Sequence, residues 1–170
     1  DTADRNALLK QLIKDLEYDP KRFRPQVVGG WISERKNRAA RGEEGVRVVH
    51  SELGGLEEDV FQRVEALYAQ RLPALNAVDF DDLLLLVLRL FDEHPGLRDS
   101  YARRFRHVLV DEYQDTNRVQ YRIVRHLASW HGNLSVCGDP DQSIYGWRGA
   151  DIRNILDFEQ DYPSAAVVRL

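Results

Sequence analysis

Asp111 and Glu112 directly follow the apolar run Val108-Leu109-Val110, within the stretch Asp111-Glu112-Tyr113-Gln114-Asp115-Thr116-Asn117. Acids at the exit of a buried strand are costly unless a cation or a proton handles their charge. The pair suits a nucleotide-bound magnesium ion and an activated water. Asp111 can hold the metal, directly or through water, and Glu112 can take a proton from water attacking a γ-phosphate. Alone, this pattern is weak, because exposed acids end many ordinary strands. A second dense stretch runs from Gly138 through Asp139-Pro140-Asp141-Gln142 to Tyr145-Gly146-Trp147-Arg148 and Ala150. Gln142 offers a neutral amide to a phosphate oxygen or to the attacking water. Tyr145 and Trp147 beside Arg148, flanked by glycines, form a stacking platform for single-stranded bases. The competing reading places both rings in the core.

The elements that must position these residues alternate between strand and helix. Arg106–Val110 and Leu134–Cys137 read as strands, Val119 to Trp130 as a helix begun near Thr116-Asn117, and Ile152 to Leu156 as a short helix. Ala165–Leu170 reads as a third strand. Such alternation predicts an α/β fold with a parallel sheet, whose ligand sites lie beyond the carboxyl ends of the strands. Both dense stretches fall there.

The first 75 residues read as helical. Leu8, Leu9, Leu12, Ile13 and Leu16 recur at helical spacing, and Asp19-Pro20 closes that segment. Val27, Val28, Trp31 and Ile32 mark a second helical face, weakened by Gly29-Gly30. Arg41–Gly55, with four glycines, reads as a loop. Val60 to Tyr68 form a third face, interrupted by Pro73. Asp79-Phe80-Asp81-Asp82 opens an apolar helix from Leu83 to about Phe91, predicted to be buried. The acids in its first turn also read as simple capping.

Net charge is −4, distributed as +3 over residues 1–50, −7 over 51–100 and zero over 101–170. Lys21–Arg41 holds seven basic residues and one acid, a local stripe that is either a phosphate-contact surface or a solvated helix face. The single cysteine, Cys137, excludes an intrachain disulfide and reads as a small core residue in a reducing, cytoplasmic setting. The longest apolar run, Leu83–Leu88, is far short of the roughly 20 residues that cross a bilayer. The chain starts at Asp1 and contains no methionine, which reads as a segment of a longer protein.

DEYQDTN and GDPDQSIYGWRGA together resemble motifs II and III of the UvrD/PcrA/Rep-like superfamily 1 DNA helicases. VDFDDLL at Val78–Leu84 resembles another block of that family, and Ile32-Ser33-Glu34-Arg35-Lys36-Asn37 its ISxxKN stretch in the 1B subdomain. The resemblance runs along essentially the whole chain. It implies a helical 1B-like subdomain over residues 1–75 and the C-terminal half of a RecA-like domain 1A over 76–170. It also implies that Asp111 binds magnesium, Glu112 is the catalytic base, and Gln142 senses the γ-phosphate of ATP. Tyr145 and Trp147 would stack on the tracked strand with Arg148 in support, and Gln114 and Asp115 would link the ATP site to neighbouring motifs. Arg35 and Lys36, in the basic stripe, would contact duplex DNA.

The chain contains no G-x-x-x-x-G-K-[ST] phosphate loop. The resemblance therefore implies part of an ATP-driven 3′–5′ helicase acting on single-stranded and duplex DNA, inactive in isolation. Strand edges that would flank the phosphate-loop strand would be unpaired and invite self-association. The alternatives are a non-catalytic nucleic-acid or partner-binding module, and part of a helicase–nuclease.

Overall fold

A computed structural model describes residues 1–40, 55–144 and 150–169. The loop expected over Arg41–Gly55 lies almost wholly outside them, as do Tyr145, Trp147 and Arg148. The fold is mixed α/β, mostly helical, with one small parallel sheet. The described chain divides into two compact units, Asp1–Leu85 and Leu86–Leu170. The resemblance implies a boundary after residue 75; compactness puts it after Leu85, inside the apolar helix.

The first unit is a helical bundle. Helix α1 (Thr2–Asp15) starts on a capping box between Asp1 and Asp4. Helix α2 (Pro25–Ala40) begins with a proline at a first-turn position, where the missing N–H is harmless. Gly29-Gly30 does not break it. A Cβ on Gly29 would stand 3.1 Å from Leu9 Cδ1 and 3.2 Å from Arg5 Cζ, so the residue permits α1 and α2 to approach closely. Helix α3 (Gly55–Ala74) continues one residue past Pro73 and stops before Asn76, whose left-handed φ of 50° turns the chain. Leu9, Val28, Trp31, Phe61, Val64 and Tyr68 form the centre of the core, with Trp31 edge-on to Phe61 at 5.6 Å.

Helix α4 (Phe80–Glu93) corrects one expectation. Only Leu88 and Phe91 are buried, whereas Phe80 is 65% exposed and Leu83 53%. A helix packs along one stripe at a time, and none of the described residues covers the second stripe.

In the second unit, α5 (Pro95–Arg104) leads to strand β1 (Val108–Val110) and helix α6 (Arg118–Ala128), followed by strand β2 (Leu134–Val136). The strands pair in parallel, with Val108 opposite Leu134 and Val110 opposite Val136. Helix α6 starts at the expected place, on a capping box between Asn117 and Gln120. Short helices α7 (Arg153–Leu156) and α8 (Phe158–Asp161) close the unit. Phe158 packs edge-on against buried Tyr113 at 5.6 Å.

Two further expectations are corrected. Residues 165–169 form no strand, because no described strand pairs with them. Cys137 is exposed rather than core, since it lies just past the end of a two-stranded sheet that none of the described residues covers there. No helix among the described residues is long and apolar enough to cross a membrane.

Candidate nucleotide and nucleic-acid site

The expected acids stand at the carboxyl end of β1, both exposed. Asp111 Oδ1 accepts the Glu112 N–H at 2.9 Å, which orients the first carboxylate. Glu112 has a left-handed backbone, φ 50° and ψ 44°, and caps the 3-10 turn Tyr113–Asp115. That conformation costs a non-glycine residue on the order of 1–2 kcal/mol. It is enforced from both sides: the Tyr113 N–H donates to Cys137 O at 3.0 Å and the Asp115 N–H to Glu112 O at 2.9 Å. The strained bend turns the Glu112 side chain toward Gln114, whose Nε2 donates to Glu112 Oε2 at 2.7 Å.

Gln114 is 1% exposed and reaches both dense motifs. Its Oε1 accepts the Asp139 N–H at 3.1 Å. Asp139 caps the 3-10 turn Pro140–Gln142: its Oδ1 accepts the Asp141 N–H at 2.9 Å and its Oδ2 accepts Gln142 Nε2 at 2.8 Å. These two donors hold the Asp139 carboxyl below the usual carboxylate range, the Gln142 amide contributing most. The far end of the second motif is also fastened to the first. Asn117 and Ala150 form an antiparallel bridge, and the Asp151 N–H donates to Thr116 O at 3.0 Å. Buried Asn154 donates to Thr116 O at 2.9 Å and to Thr116 Oγ1 at 3.2 Å.

Asp111, Glu112 and Gln142 are thus brought into one hydrogen-bonded constellation. Among the described residues no group of three or more His, Cys, Asp or Glu side chains forms a metal cage. Magnesium does not need one: with a nucleotide it takes one or two carboxylates plus phosphate oxygens and water. Exposed Asp111 with hard oxygen donors fits that demand.

Arg35 and Lys36, expected at a DNA surface, are engaged within the first unit. Lys36 Nζ lies 2.8 Å from Asp79 Oδ2 and 2.6 Å from Asp82 Oδ1. Asn37 Nδ2 donates to Asp81 Oδ1 at 3.0 Å, and Tyr68 OH to Asp79 Oδ2 at 3.2 Å. Asp79 and Asp82 also form a capping box at the start of α4. The first-turn acids therefore cap the helix and bind Lys36 as well. Burial disfavours the Lys36 ammonium, but its hydrogen bonds and charge contacts with Asp79 and Asp82 outweigh that and raise its pKa. Arg35 Nε lies 3.2 Å from Glu65 Oε2, with its guanidinium over the Trp31 ring at 4.8 Å.

The family model for the UvrD/REP helicase N-terminal domain matches residues 1–163. The chain belongs to the UvrD/REP helicase family. It is 46% identical over 170 residues to the ATP-dependent DNA helicase PcrA of Bacillus subtilis, covering all of this chain and 22% of that protein. It is 41% identical to the PcrA helicases of Staphylococcus epidermidis and Staphylococcus aureus, covering 23% of each. This UvrD/REP family chain thus spans less than a quarter of the length of these relatives. The block resembling ISxxKN and the block VDFDDLL, far apart in sequence, meet in this structure through Lys36 and Asn37.

Proposed function

We propose that the chain supplies part of the ATP site and part of the DNA path of a 3′–5′ DNA helicase. The carrying observation is the constellation beyond the carboxyl ends of β1 and β2, where Asp111, Glu112 and Gln142 are joined through Gln114 and Asp139. Asp111 would hold magnesium, which neutralises charge on the β- and γ-phosphates when bound. Glu112 accepts the proton of the attacking water, and Gln142 presents its amide to the γ-phosphate. Tyr145 and Trp147 stack on bases of single-stranded DNA, with Arg148 beside them. Of the two basic residues on α2, Arg35 keeps 40% side-chain exposure and is our candidate for a duplex phosphate. Lys36 is assigned to holding the start of α4. A cytoplasmic setting follows from this activity.

The 170-residue chain alone is expected to hydrolyse no ATP, because no phosphate-loop lysine or backbone cradle is present in its sequence. Steady-state assays with saturating single-stranded DNA and magnesium check this; DNA-stimulated turnover by the purified chain contradicts it. Strands β1 and β2 each have one edge without a ladder partner among the described residues. The same preparation should therefore associate with rising concentration in sedimentation velocity. A monomer at all concentrations contradicts that part.

A further inference from the structure

Arg103 and Arg104 end α5, Arg106 and His107 lead into β1, and Trp130 and His131 lie between α6 and β2; all six are exposed. They precede the strands, whereas Asp111 and Gln142 follow them. They therefore gather at the opposite end of the sheet, on the order of 10 Å along β1 from the acids. We propose that Arg103, Arg104, Arg106 and Trp130 form a second contact for single-stranded nucleic acid, with phosphates on the arginines and a base stacked on the indole. The proposal does not depend on the roles given to Asp111, Glu112 and Gln142.

Three observations carry it. The first is that these cations are not neutralised. Arg35, Arg89, Arg98 and Arg122 each lie within 3.2 Å of a carboxylate. No described acid pairs with Arg103, Arg104 or Arg106. Neither residues 100–110 nor residues 116–138 contain an acid, and the one acid of α5, Asp99, is taken by Arg98 at 2.9 Å. The second is Trp130, which is 54% exposed and carries Arg103 over its ring, Cζ to centroid 4.0 Å. Stacking fixes the plane of the guanidinium and leaves its edge N–H groups to pair with phosphate. The third is that the platform is stitched together. His131 Nε2 donates to Arg103 O at 3.1 Å, Asn133 Nδ2 to Arg106 O at 2.9 Å, and the Val108 N–H to Asn133 O at 2.9 Å. A fixed array loses little freedom on binding. The carboxyl terminus of α5 accounts for cations in its last turn. It does not account for Arg106 beyond the helix, or for a large indole left half in water. A nucleic-acid strand has a charge on every unit and a π-face on every base, and uses both features. An acidic peptide satisfies the charges alone.

The test uses the complete protein that carries this segment and oligodeoxythymidylates of about 10 and about 40 nucleotides, of which only the longer can reach both ends of the sheet at once. The Arg103→Ala/Arg104→Ala/Arg106→Ala variant is expected to bind the longer strand about tenfold more weakly at low salt, and the shorter within about twofold of wild type. Its log–log salt slope for the longer strand should flatten by about 2, since each phosphate contact on a single strand contributes about 0.7. The corresponding triple lysine variant keeps the charges and should keep the wild-type slope. Trp130→Ala should weaken the longer strand about fivefold. Wild-type affinity and slope in the triple alanine variant overturn the proposal, as does loss of slope in the lysine variant. Equal weakening of both lengths also overturns it, because that reports damage to the fold or to another site. An oligoglutamate peptide that binds wild type but not the triple alanine variant, while the longer strand is indifferent to the substitutions, assigns the surface to an acidic protein and overturns it too.

Discussion

Replacing Glu112 with glutamine in the complete protein will abolish ATP hydrolysis and leave ATP binding nearly intact. Glutamine has the same shape, and its carbonyl oxygen can still accept from Gln114 Nε2, which now lies 2.7 Å from Glu112 Oε2. The left-handed bend is held by backbone bonds that the substitution does not touch. Only basicity is lost. Removing a positioned general base costs typically 10²–10⁴-fold in rate. Single-turnover hydrolysis should fall by about 10³-fold, with the nucleotide dissociation constant changed by no more than about threefold. A variant that hydrolyses ATP within tenfold of wild type contradicts the assignment of the base.

Lys36→Met should destabilise the helical unit by about 2 kcal/mol at neutral pH. That lies between the small value of exposed ion pairs and the larger loss on breaking a buried one. Lys36 is 21% exposed at its side chain and Asp79 only 7%, so the lost cation leaves Asp79 and Asp82 facing each other with little water to screen them. The expected fall in midpoint temperature is about 10 °C for a unit of this size. The pH dependence has a definite sign. Burial pushes the Asp79 carboxyl up, but Lys36, the Asp82 N–H and Tyr68 outweigh it, and the net pKa lies below the ordinary 3.8. Its contribution is therefore present above 3.8 and is lost as pH falls through the depressed value. Lys36 is raised above 10.5, so its contribution is present below 10.5 and is lost as pH rises through the raised value. The difference between wild type and Lys36→Met should be full at neutral pH and shrink at pH 3. Denaturant melts at pH 7 and pH 3 check this, and a gap that does not narrow at pH 3 contradicts it.

The parts of this molecule that were legible in the sequence are those whose signal is local. Apolar residues at helical spacing from Val119 place α6, and acids after an apolar run place Asp111 and Glu112 at the end of β1. The pairing of Lys36 with Asp79 joins residues 43 apart in sequence, and a charge pattern alone cannot tell such a contact from a solvated stripe. The strand expected over Ala165–Leu170 continues a strand–helix alternation, but a strand exists only with a ladder partner, and residues 165–169 have none among the described strands. The burial expected for α4 failed similarly: apolar composition states what a surface favours, and exposure depends on what is present to cover it. Gly29 misled in the other direction, because its close approach to Leu9 explains a glycine that helix propensity counts as a defect.

We assign Asp111 and Glu112 as the metal-holding and water-activating acids of an ATP site. The most direct measurement is a crystal structure of the complete protein with magnesium, a non-hydrolysable ATP analogue and single-stranded DNA. Asp111 should lie in the coordination shell of the metal, directly or through one water. The Glu112 carboxylate should contact the water in line with the γ-phosphate, with the Gln142 amide beside it. A metal and γ-phosphate held away from the end of β1, with both carboxylates facing solvent, would contradict the account.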